Sequence, residues 1–205
     1  MFQFTLNNSG SSLLVEEINY SDEELLKIVD LNKHDETEYV KFKNSRRKKE
    51  WLAVRYLLKK LCKDDVSIKY NNDGKPQLPN GKNISISHSG KLIGIIVSDN
   101  KEIGLDIEKI SNKLDKIKYK YLNEFELGLV KKSNNYIETL TTFWCAKEAM
   151  YKLYSKKNLI FDEQLLIKSI DTENDKIFAE IKTNETIELE LFFKKIGEYF
   201  LVWVF

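Results

Sequence analysis

The chain has 205 residues, with 33 Lys and Arg against 32 Asp and Glu, so its formal net charge is +1. That length suits one ordinary domain or two small ones around a sizeable apolar core, and near-neutrality provides no global basic field for nucleic acid. Two separated cysteines, two prolines and no run near the roughly 20 apolar residues that cross a bilayer exclude a disulfide scaffold, a long disordered linker and a membrane span; a reduced, soluble, cytoplasmic and unprocessed chain is expected.

From the N-terminus, TLNNSGSSLLVEEI mixes turn formers with a short β-like run, and Ser21 before a run of acids predicts a helix start at SDEELLKIV. Residues 45–62 place Trp51, Val54, Leu58 and Leu61 at helical spacing, with Arg47, Lys48, Arg55 and Lys59 elsewhere around the cylinder. VSIKY reads as a strand, NNDGKP as a turn, and NISISHSG and LIGIIVSD as strands. NKE is expected to join the last of these to IGLDIEKI as a hairpin. After a polar stretch, YLNEFELGLV is predicted helical, followed by a long helix over IETLTTFWCAKEAMYKLYSKK with Leu140, Phe143, Met150 and Leu153 toward the core. Strands are expected at LLIKSI, KIFAEI, TIELELFFKK and YFLVWVF. Each half thus has a strong helix followed by strands, a plan consistent with an α+β fold of antiparallel sheets and segregated helices, divided as 1–99 and 100–205.

Asp106 and Glu108, two apart in an alternating run, share one strand face. They either decorate a solvated surface opposite Ile103, Leu105 and Ile107 or act together. Glu148 and Lys152, four apart on the long helix, form either a surface ion pair or, one turn beyond Trp144, part of a functional face. With only His34 and His88 and separated cysteines, carboxylates favour a hard cation with water ligands, magnesium over zinc, and magnesium points to a phosphate-bearing substrate. His88 in Ser87-His88-Ser89-Gly90 is either a plain turn residue or a ligand contact; no G-x-S-x-G elbow supports a Ser/His hydrolase. Lys75, on the Asp73-Gly74-Lys75-Pro76 turn, could reach a phosphate. Arg46, Arg47, Lys48 and Lys49 crowd a helix start, where positive charge opposes the helix dipole unless an anion is near.

Gly74-Lys75-Pro76, Ile86-Ser87-His88-Ser89, Gly104-Leu105-Asp106-Ile107-Glu108 and Phe143-Trp144-Cys145-Ala146-Lys147-Glu148-Ala149-Met150-Tyr151-Lys152, in that order, resemble the 4'-phosphopantetheinyl transferase superfamily. More narrowly they resemble its long, monomeric type, which activates surfactin synthetase. The resemblance implies a pseudo-twofold pair of α+β halves with coenzyme A in the cleft between them. It implies that Asp106, Glu108 and Glu148 hold magnesium and that Lys152 lies near the pyrophosphate. It further implies that His88 meets the 3'-phosphate and that Lys75, Pro76 and Ser87 line the nucleotide site. Arg47 corresponds to a nucleotide-contacting position, with Arg46 and Arg55 as alternatives; Glu126 rather than Glu124 corresponds to a further family glutamate.

The implied reaction is attack of a serine hydroxyl of an apo acyl or peptidyl carrier protein on the β-phosphate of coenzyme A, releasing 3',5'-adenosine bisphosphate. Glu148, Glu126 or a metal-bound water would take the serine proton. Two other readings use the same residues: a metal-dependent phosphohydrolase, and a non-catalytic module that binds an acidic helical partner through Arg46 to Lys49.

Overall fold

A computed structural model describes residues 2–62, 67–71, 74–79, 81–155 and 158–205. Val66 of the expected VSIKY strand, Asn72 and Asp73 of the expected turn, and Lys156 and Lys157 of the expected long helix lie outside the described residues. The chain divides into two units, Met1–Lys101 and Glu102–Phe205. Together they are α+β, with two antiparallel sheets and seven α-helices among the described residues.

The first unit opens on a hairpin of β1 (Gln3–Asn8) and β2 (Ser11–Glu17), turned through Ser9 and Gly10 at φ 28 and 81. Helix α1 (Asp22–Val29) starts at Ser21, whose side chain accepts from Glu24 N while the Glu24 side chain returns to Ser21 N. This reciprocal cap satisfies two backbone donors that the first helical turn leaves open. Helices α2 (Lys33–Lys41) and α3 (Ser45–Leu61) follow, then β3 (Lys69–Tyr70), β4 (Pro76–Gln77), β5 (Asn83–Ser89) and β6 (Leu92–Ser98). The sheet order is β1-β2-β6-β5-β4-β3. Leu52, Leu57 and Leu58 of α3 bury against Leu14, Ile84 and Ile95, so α3 is the axis on which this core forms.

In the second unit β7 (Gly104–Lys109) precedes α4 (Lys113–Ile117), a 3-10 turn (Lys118–Lys120), α5 (Glu124–Lys132) and α6 (Tyr136–Tyr154). Helix α7 (Phe161–Gln164) then leads to β8 (Leu165–Asp171), β9 (Lys176–Lys182), β10 (Thr186–Ile196) and β11 (Tyr199–Val204). The sheet order is β7-β11-β10-β9-β8. Leu140, Phe143 and Met150 of α6 bury with Ile177, Leu191 and Val202 of the sheet. Gly104 lets α6 approach β7 closely: a Cβ there would lie 2.0 Å from Ala149 O.

Two expectations change. NKE does not close a hairpin, because β7 pairs with β11 rather than β6, and the strands on either side of NKE belong to different sheets. The N-terminal β-like run is two strands rather than one. Helices α2, α4 and α7 are additional; KHDETEYVK has no apolar stripe, and its helix is announced only by Asn32, which accepts from Asp35 N at 2.9 Å.

Candidate functional site

The strand period places Gly104, Asp106 and Glu108 on one face of β7, and the helix period places Cys145, Glu148, Ala149 and Lys152 on one face of α6. Close approach at Gly104 brings these faces together. Asp106 is buried, which removes it from the solvated-surface alternative. Its Oδ1 accepts from Lys152 Nζ at 2.7 Å, and Lys152 also donates to Leu105 O at 3.0 Å. Lys152 thus makes an ion pair from helix to strand.

Burial, and then the Asp106 charge, push the Glu148 carboxyl up to about 7, against the pull of Lys152. The same two causes raise Glu108, opposed by a hydrogen bond from Trp144 Nε1 to Glu108 Oε1 at 3.2 Å. Cys145, fully buried beside them, is held as a neutral thiol first by burial and then by Asp106 and Glu108. Such a thiol is unreactive. Asp106, Glu108 and Glu148, with Asp106 raising the proton affinity of the other two, form a donor set suited in kind to a hard, oxygen-preferring cation. Among the described residues, however, no three His, Cys, Asp or Glu side chains are gathered closely enough to enclose a metal ion.

Glu126 stands apart from this face. Its side chain is fully buried, pairs with the fully buried Lys147 at 2.8 Å, and accepts from Ile167 N at 2.7 Å and Asn123 N at 2.9 Å. It is the reciprocal cap of α5 and a tie to β8, while Glu124 is exposed on the first turn. Lys147 also donates to Phe161 O at 2.8 Å.

In the first unit, a cavity of about 830 Å³ is lined by Arg47, Glu50, Trp51, Arg55, Tyr70 and His88, among others. Helix α2 adds His34 and Glu38. Arg55 is the buried floor: its guanidinium stacks 3.1 Å from the Trp51 ring centroid and reaches Asp35 Oδ1 at 3.1 Å. Burial pushes its pKa down and Asp35 draws it back. Its Nε is buried with no hydrogen-bond acceptor. His88 Nδ1 lies 3.6 Å from Glu50 Oε1, which also takes Arg46 Nε at 2.8 Å.

The structure therefore brings Arg47 and His88 to one cavity, while Lys75, Pro76 and Ser87 are not among its lining residues. Ser87 is buried and adjoins His88 on β5, where alternation turns it to the other face. Pro76 pairs with Tyr70, a lining residue. Sequence reading missed α2 and Phe161. The Asn32 cap with Asp35 and Glu36 in the first turn was the available signal for the helix; nothing local singles out Phe161.

Residues 102–201 match the family model described as the 4'-phosphopantetheinyl transferase superfamily. The matched stretch holds Asp106, Glu108, Glu126, Glu148 and Lys152. The chain is also similar to two curated proteins, each described as 4'-phosphopantetheinyl transferase AcpT, from Salmonella typhi and Salmonella typhimurium. Each is 38% identical over 66 residues, covering 31% of this chain and 34% of the relative. The match spans about a third of those relatives' length. Among the described residues no helix is long and apolar enough to cross a membrane.

Proposed function

We propose that this protein transfers the 4'-phosphopantetheine arm of coenzyme A to a serine of an apo acyl or peptidyl carrier protein, releasing 3',5'-adenosine bisphosphate. The observation that carries the reading is the acidic face of β7 and α6, with Asp106 buried and Glu108 and Glu148 half-buried, within the stretch that matches the transferase family. Asp106, Glu108 and Glu148 would hold magnesium, which when bound would neutralise pyrophosphate charge. Lys152, paired with Asp106 at 2.7 Å, would supply positive charge to the same oxygens. Glu148 or a water would accept the serine proton. Glu126, neutralised by Lys147 and closed from solvent, holds α5 in place.

The cavity of the first unit is proposed as the nucleotide site. His88 and Arg47 would meet the 3'-phosphate there, and Lys75, Pro76 and Ser87 would shape its rim and strand. The buried Nε of Arg55 favours this residue over Arg46 and Arg47 for the deepest ligand contact, because a buried donor without an acceptor is stabilised by a ligand oxygen or nitrogen. A long helix against an antiparallel sheet in each unit supports the long, pseudo-twofold, monomeric type and a division of labour near residue 100, nucleotide contacts before it and metal contacts after it. A cytoplasmic protein acting on neither nucleic acid nor membrane accords with the net charge of +1.

The test is mass spectrometry of apo-carrier proteins incubated with the protein, coenzyme A and magnesium. The carrier should gain the phosphopantetheine mass, and Asp106→Asn should reduce that gain by at least about a hundredfold. Release of adenosine bisphosphate from coenzyme A without carrier would instead identify a phosphohydrolase.

A further inference from the structure

The Trp144 indole that donates to Glu108 Oε1 at 3.2 Å is itself held between two rings. Tyr121 meets it edge-on at 5.0 Å, and Phe161 stacks on it at 5.7 Å with 29° between planes. Phe161 also contacts Tyr151, two helical turns beyond Trp144 on α6, at 5.7 Å. The backbone of Phe161 is anchored as well, since its carbonyl accepts from Lys147 Nζ, the ammonium that pairs with Glu126. A chain of contacts thus runs from the buried ion pair through Phe161 and the indole to one carboxylate of the acidic face. An indole has a single N–H, whose direction follows the ring plane, so a stack that fixes the plane also fixes the hydrogen bond.

We propose that Phe161 is a positioning residue for Glu108, acting through the Trp144 indole, and thereby sets the affinity of the acidic face for a divalent cation. The inference rests on the reading that Glu108 helps to hold that cation. Partners that orient a ligating carboxylate typically change metal affinity by about 10- to 100-fold when removed. Nothing in the sequence near Phe161 belongs to the motifs of the acidic face; its role arises because α7 packs this ring against Trp144 and Tyr151 of α6.

Two readouts test this. One is manganese(II) binding to the metal-free protein, followed by loss of the free-ion paramagnetic signal. The other is the nitrogen-15 spectrum of the indole N–H groups without metal; the chain has three tryptophans, and the Trp144 signal is the one that vanishes in Trp144→Phe. Glu108→Gln should move the Trp144 signal and weaken manganese at least about tenfold. Phe161→Leu should do both, with Phe161→Met as its substitute should the first variant unfold, while Phe161→Tyr keeps the stack and both parent values. Ile177→Val, a core truncation elsewhere in the unit, should lower stability with neither effect. A Phe161→Leu protein with parent manganese affinity and an unmoved Trp144 signal, beside a responsive Glu108→Gln, overturns the inference and leaves the metal reading standing. Unchanged manganese affinity in Glu108→Gln overturns the metal reading and the inference with it.

Discussion

Glu148 shows how one residue's surroundings set its chemistry. Burial and Asp106 raise its carboxyl from the usual 4.5 to about 7, so between those values the folded chain keeps a proton that the unfolded chain has released. Stability therefore falls as pH rises through that window; the cost is complete above about pH 7 and absent below about pH 4.5. The difference corresponds to roughly 3 kcal/mol at most. Metal-free Glu148→Gln should lose that slope and exceed the parent in stability at pH 8, measured by urea denaturation across pH; parallel curves would contradict the assignment. Burial likewise works against the charge of Lys147 and lowers its pKa, and Glu126 draws it only part of the way back. Lys147→Met should cost about 3 to 5 kcal/mol by stranding a buried carboxylate, and adding Glu126→Gln should recover part of that loss. Additive losses in the double variant would show that the two groups are not coupled.

At the scale of elements, the approach of α6 to β7 makes the acidic face. Ala146 and Ala149 on the helix are small, and Gly104 on the strand is the point of contact. Gly104→Ala would put a methyl 2.0 Å from a backbone carbonyl, which cannot rotate away as a side-chain tip does. The helix must move off the strand, and overpacking of this kind costs about 1 to 3 kcal/mol or more. The variant should melt lower than the parent and transfer phosphopantetheine at least tenfold more slowly, since a displacement of about 1 Å is enough for such a loss. Parent activity in a fully folded Gly104→Ala protein would show that the strand and helix carboxylates do not need this spacing.

For the whole molecule, the proposed reaction draws on each unit for a different task. His88→Ala, in the first unit, should weaken coenzyme A roughly tenfold or more while changing dephospho-coenzyme A little, because a charge-assisted contact to the 3'-phosphate is worth about 1.5 to 3 kcal/mol. Calorimetry with both ligands measures this, and equal losses would remove His88 from the 3'-phosphate. The substitution should leave manganese affinity, a property of the second unit, at the parent value.

The sequence by itself determined the α+β class, the two long helices, most of the strands and the four motifs, because helix and strand periods, caps and turn formers act over a few neighbouring residues. It also picked out Asp106, Glu108, Glu148 and Lys152, since spacing of two on a strand and four on a helix fixes which side chains share a face. It left open whether those faces meet water or each other. The tertiary structure decided that Asp106 is buried and paired with Lys152, and that Glu126 belongs to Lys147. It likewise decided that β7 pairs with β11, almost a hundred residues later, rather than with β6 just before it. Strand pairing and ion pairing across such separations depend on which surfaces are brought together when apolar side chains leave water, and no local pattern encodes that outcome.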